Sequence, residues 1–188
     1  MILSGALLVG FFILGQINFL IFHSLGEMLS IAIAWSVFTL SWNTQKIVRN
    51  DNLLLLGIAY LSVGLMDSLH MLAYRGLGVY SPEFAANYAT QLWIASRLVE
   101  TLSLLLFASS FRRHLNPWYL LSGYAGITTG LLMSIFYWRI FPTCYIEGYG
   151  LTPFKVGAEY FIVLALISTV IIIHKNRNLL DRKVYLLM

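Results

Sequence analysis

Six apolar runs, each close to the length that crosses a bilayer, constrain this chain more than any other feature. A hydrocarbon core of roughly 30 Å takes about 20 consecutive apolar residues in a helix. The runs fall near Ile2 to Phe22, Leu25 to Trp42, Asn52 to Tyr74, Asn87 to Phe111, Pro117 to Trp138 and Val156 to His174. None alternates with the two-residue period of a membrane barrel strand. The first is too long, and too soon followed by another, to be a cleaved signal peptide. The expected fold is therefore all-α, a polytopic membrane helix bundle of about six transmembrane helices. Asn116-Pro117 marks one helix start, with Asn as cap and Pro at the first helical position.

Composition agrees. Of 188 residues, 59% are hydrophobic and only 11% charged, against about 25% charged in a typical soluble domain. The net charge of +4 is spread over short loops, a pattern of membrane topology and not of a nucleic-acid footprint. The single cysteine, Cys144, excludes an internal disulfide framework and a multi-cysteine metal site.

Basic residues set the orientation. On the side holding Met1 lie Lys46, Arg49, Arg112, Arg113, Lys175, Arg177, Arg182 and Lys183; the opposite side has Arg75, Arg139 and Lys155. Basic residues concentrate in cytoplasmic loops, so the N-terminus is expected inside. His114 and His174 are then expected at the headgroups of that face. After the last span, Val184 to Met188 begins a further apolar run, and residues 1–188 read as one integral-membrane domain cut at the start of a seventh helix.

Acidic residues collect on the other side. Ionisable groups within spans cost roughly 2.5–3.5 kcal/mol on insertion scales, so they are expected to face the bundle interior with partners. His23 and Glu27 are four apart on one helix and share a face; Asp67 and His70, three apart on the next, do the same. The fourth helix carries Gln91, Trp93, Arg97 and Glu100. Arg97 can pair with Glu100, roughly 15–20 Å in from the helix start. Glu159 sits in the first turn of the sixth helix, behind a turn-rich loop with Glu147. These groups approach one membrane face from four helices and a loop. They predict a polar pocket with an ion-pair floor, a common ligand location between helices.

Several chemistries stay open for that pocket. His23, Asp67 and His70 are candidate metal ligands, since imidazole and carboxylate suit zinc, copper or iron. His23 and His70 could hold a haem axially. A small molecule or ion could bind reversibly, or the pairs could be structural. Gly126 and Gly130 form a GxxxG, expected to allow close helix approach within the bundle. Cys144 is expected to be an ordinary loop thiol. No phosphate loop, nucleophile elbow or HExxH occurs, and nothing assembles a nucleophile, base and oxyanion donor. Catalysis within this chain is not expected.

The motifs together resemble a known family. Phe22-His23-Ser24-Leu25-Gly26-Glu27, Gly57 to Leu61, Asp67-Ser68-Leu69-His70 running on to Val79, Thr90 to Arg97, and Glu147 to Lys155 followed by Glu159-Tyr160 are similar to the third of the membrane-associated sensor (MASE) domain families. Gly26 and Arg75 stand where that pattern has a larger apolar residue and a lysine. The resemblance implies an N-terminal input domain of a bacterial or archaeal sensor histidine kinase or diguanylate cyclase, with about two further helices. It implies a covalently linked cytoplasmic output module, a homodimer set by that module, and polar positions at His23, Glu27, Asp67, His70, Gln91, Trp93, Arg97, Glu147, Lys155 and Glu159. A small transporter, or a metal- or haem-binding redox protein, are the competing readings.

Overall fold

The computed structural model describes residues 2–47, 50–109 and 116–176. Six helices are present among the described residues: α1 (Ile2–Ile17), α2 (Phe19–Thr44), α3 (Asp51–Ala73), α4 (Pro82–Ser109), α5 (Pro117–Phe136) and α6 (Pro153–Lys175). Two short strands, β1 (Tyr145–Ile146) and β2 (Gly150–Leu151), pair antiparallel between α5 and α6. The molecule is an all-α polytopic bundle. Helices α2 to α6 include five segments long and apolar enough to cross a membrane.

Side-chain caps fix where these helices begin. Asn18, Asn50, Asn116 and Thr152 each hold an extended backbone and accept a hydrogen bond from an N–H of the first turn, satisfying donors that a helix start leaves free. Pro117 and Pro153 follow two of them, where a missing N–H costs nothing. Asn18 moves the first boundary. The run expected to continue to Phe22 ends at Ile17, leaving α1 at 16 residues, about 24 Å at 1.5 Å per residue. His23 and Glu27 thereby enter the first turns of a 26-residue α2. The apolar run from Val184 to Met188 lies outside the described residues, as does His114.

Helices α3 and α4 form the core. Leu54, Leu55, Ile58, Met66, Leu92, Ile94 and Ala95 are at most 1% exposed. Helix α2 packs on one side of α3, α6 against α4, and α5 against both central helices, while α1 packs chiefly on α2. The outer helices show large apolar side chains outward, among them Ile33 and Leu40 of α2 and Leu164 and Val170 of α6. That inversion of a soluble surface is what a lipid environment permits.

Helices α2 and α3 approach closely at two glycines. A Cβ built on Gly57 would lie 1.5 Å from Ser41 Oγ and 2.6 Å from its Cβ, and one on Gly64 would lie 3.2 Å from Ala34 Cβ. The expected use of Gly126 and Gly130 does not occur among the described residues, because a Cβ at either would meet nothing within 4 Å. Both lie on the face of α5 turned away from the core.

Candidate functional site

The start of α2, the end of α3, the first half of α4, the β1–β2 hairpin and the first turn of α6 meet at one end of the bundle. They enclose a cavity of about 870 Å³. Its wall takes Phe19, Leu20, His23 and Glu27 from α2, and His70, Tyr74 and Arg75 from the end of α3 and the turn after it. Ala89, Thr90 and Trp93 come from α4, Tyr145 and Leu151 from the hairpin, and Lys155 from α6. The α3–α4 connection closes tightly because Gly78 takes φ +68, a left-handed conformation glycine adopts without a Cβ penalty. The same turn brings Gly76 against Leu20 of α2.

An aromatic and imidazole cluster stands on the α2 wall. The His23 ring lies 4.3 Å from that of Tyr74, stacks parallel to Phe19 at 6.0 Å, and meets His70 edge-on at 5.9 Å. His70 is buried, and its Nδ1 is 2.7 Å from the Ala89 carbonyl oxygen. Donation there leaves Nε2 as the ring's lone-pair nitrogen. That atom faces Glu27 Oε1 at 3.8 Å, beyond hydrogen-bond length. His23 Nε2 is sealed from solvent and has no hydrogen-bond partner.

The opposite wall carries Trp93. Lys155 Nζ lies 5.3 Å from its ring centroid and donates to Glu159 Oε1 at 2.6 Å, a cation–π contact tied to an ion pair one turn apart on α6. At the rim, Arg75 donates to Glu147 Oε1 at 3.0 Å, with both side chains more than half exposed. An exposed pair of this kind contributes little stability, but it links the α3–α4 turn to the hairpin.

One helical turn deeper lies the charged floor. Asp67, 2% exposed, accepts from Ser96 Oγ at 2.6 Å and from Arg97 Nη2. Arg97 Nη1 donates to Glu100 Oε2 at 2.5 Å, and Glu100 Oε1 accepts from the Tyr60 hydroxyl at 3.0 Å. Arg97 Nε has no partner. Asp67 is three residues before His70 and Arg97 four after Trp93, so the network underlies the cavity on both central helices.

The profile of the MASE3 family, a membrane-associated sensor domain, matches residues 14–188. The chain belongs to this family. No curated protein and no solved structure matches it. As a MASE3 domain it is a membrane protein with a sensory role.

The sequence-derived positions other than Gln91 divide into three groups in this MASE3 domain. His23, Glu27, His70, Trp93 and Lys155 line the cavity. Asp67, Arg97 and Glu100 form the floor, while Glu147 and Glu159 pair with the cations at its edge. Gln91 points elsewhere. Its Nε2 donates to the carbonyls of Phe141 and Pro142 at 3.0 and 3.1 Å, so it holds the segment entering the hairpin. Asp67 is also not beside the two histidines as the metal expectation had it. Ser96 and Arg97 occupy its carboxylate, and Glu27 takes that position. A haem between His23 and His70 would have to displace Glu27, whose carboxylate is within 4.8 Å of a nitrogen of each.

Sequence reasoning missed Asn87, whose Oδ1 accepts from the backbone N–H of Cys144 and of Tyr145 at 2.9 and 3.1 Å. Its four-residue spacing from Gln91 was a usable signal. Tyr60 and Tyr74 fall inside the family motifs, but nothing singled them out among eleven tyrosines. Cys144 is fully buried against Ile94 and Ile162, and burial pushes its thiol up to about 11. It is a packing residue and a poor nucleophile at neutral pH.

Proposed function

We propose that this MASE3 domain is the input module of a bacterial or archaeal signalling protein, and that its stimulus is a small ligand or ion held in the cavity at the hairpin end. The cavity opens on the extracytoplasmic face, as the basic loops at the other end of the spans imply. Occupancy biases the bundle between two arrangements, and α6 transmits the bias toward a covalently linked cytoplasmic histidine kinase or diguanylate cyclase. Any enzymatic activity belongs to that module, which also sets the homodimer. A ligand can shift such a balance only through differential affinity for the two states.

The observation that supports this reading is the convergence of side chains from α2, α3, α4 and α6 on one cavity, above a buried network of ion pairs. A transporter would need polar groups continuing through the other half of the spans. The buried polar side chains there include Ser41, Ser103 and Thr169, which hydrogen-bond carbonyls of their own helices.

The test fuses the domain to a kinase or cyclase output and measures that output across a panel of extracytoplasmic solutes and metal ions. His70→Ala and Trp93→Ala, on opposite walls, are each expected to reduce the response at least tenfold while membrane insertion is unchanged. Normal responses from both variants would remove the cavity from the signalling path.

A further inference from the structure

Three potential ligand atoms of the cavity converge on one point. His23, Glu27 and His70 each present one, a ring nitrogen or a carboxylate oxygen, all within 4.8 Å of one another. The first two sit one turn apart on α2 and the third comes from the end of α3. We propose that His23, Glu27 and His70 form a site for a divalent first-row transition-metal ion of the zinc class, with its remaining coordination position open to the cavity.

Four independent features converge on this. The first is donor chemistry: two imidazoles and one carboxylate are a set that zinc and its neighbours accept, and three protein ligands leave a position free. The second is orientation. Ligating histidines usually donate their other ring N–H to a carbonyl or carboxylate, and His70 Nδ1 meets the Ala89 carbonyl in just this way, aiming Nε2 at Glu27. The third is want of a partner. His23 Nε2 is sealed and unbonded, and the 3.8 Å between His70 Nε2 and Glu27 is too long for a hydrogen bond. Ligand atoms at about 2.0–2.1 Å from a tetrahedral ion lie about 3.4 Å apart. The present separations therefore need side-chain movements of about an ångström.

The fourth feature is charge. Lys155 and Glu159 neutralise each other, as do Arg75 and Glu147. Among the described residues of the cavity and its floor, Glu27, Asp67 and Glu100 leave three formal negative charges against Arg97. Arg97 is within electrostatic reach of all three. A divalent cation brings this low-dielectric cluster to neutrality, where an anion would add to the imbalance. The apolar remainder of the cavity, with Trp93, Leu151 and Phe19, is left for a small molecule that could take the open coordination position.

The metal site deepens the cavity reading and rests on it only for the consequence in signalling; binding is tested separately. The purified protein in nanodiscs is loaded with Zn2+, exchanged into metal-free buffer and analysed by mass spectrometry for metal. About one equivalent per chain is expected, falling at least tenfold in His23→Ala, Glu27→Gln and His70→Ala, and unchanged in Gly126→Ala on the outer face of α5. Co2+ loading of the unmodified protein is expected to give the intense visible bands of a four-coordinate site, a readout that needs no variant to fold. Absence of both retained Zn2+ and Co2+ bands overturns the site, as does full retention in His23→Ala and Glu27→Gln. If metal is lost from the three variants while the fused output ignores Zn2+, the site stands and the cavity reading falls. If no metal binds yet His70→Ala and Trp93→Ala silence the output, the cavity reading stands and the metal falls.

Discussion

Among single residues, Arg97 carries the heaviest obligation. Among the described residues it is the one cation against Asp67 and Glu100, and Asp67 is 2% exposed with Ser96 as an additional hydrogen-bond partner. Removing Arg97 strands a carboxylate in the bundle interior, a loss of roughly 3–5 kcal/mol for a buried pair broken on one side. Removing Asp67 is less severe, because Arg97 keeps Glu100 and is a quarter exposed. Arg97→Ala is therefore expected to destabilise by roughly 3–5 kcal/mol and Asp67→Ala by distinctly less, measured by equilibrium unfolding in detergent micelles. Equal losses would mean that Asp67 is not the group depending on the pair. The partnership was only half legible: Arg97 with Glu100 follows from their spacing on one helix, whereas Asp67 lies thirty residues away on α3, and no periodicity connects the two.

Between elements, the geometry turns on where glycine is used. Helices α2 and α3 approach at Gly57, where an added Cβ would strike both Oγ and Cβ of Ser41, so rotating the serine gives no relief. The helices must separate instead, and overpacking of this kind costs about 1–3 kcal/mol. Gly126 has open space around it, and alanine there gains helix propensity of up to about 1 kcal/mol. Thermal unfolding is expected to rank Gly57→Ala below the unmodified protein and Gly126→Ala at or above it. The reverse order would place α5, and not α2, at the tight interface. The GxxxG pattern misled because spacing reports that a helix can be approached closely, not that a neighbour is there. Gly57 and Gly64 are seven apart, two turns along the face that α2 covers, a signal just as visible but less familiar. The helix starts were more legible, since Asn116 with Pro117 caps α5 as its residue types imply. Asn18 was hidden because an apolar run continues on both sides of it, and a one-residue break changes hydropathy very little.

For the molecule as a whole, the distinction that matters is between surface turned to lipid and surface turned to the cavity. Apolar runs identify the bundle but not its interior, because lipid accepts the same side chains as a core. That is why the spans could be read while the central position of α3 and α4 could not. The cavity was foreshadowed better, since ionisable residues in spans must face inward; His23, Glu27 and His70 were found on that ground, while Lys155 came only from the family resemblance. Tryptophans test the division directly. Trp35 lies midway along α2, beside Gly64 of α3, and is 41% exposed, whereas Trp93 lines the cavity beneath the Lys155 ammonium. In nanodiscs whose acyl chains carry bromine, a variant retaining only Trp35 is expected to lose most of its fluorescence. One retaining only Trp93 should lose little, and should instead be quenched by a water-soluble quencher able to enter from the hairpin end. Bromine quenching of Trp93 as strong as that of Trp35 would show that this wall faces lipid. The residues of α2, α3, α4 and α6 would then line a groove in the membrane-facing surface, and neither a metal ion nor a polar solute would reach them from water.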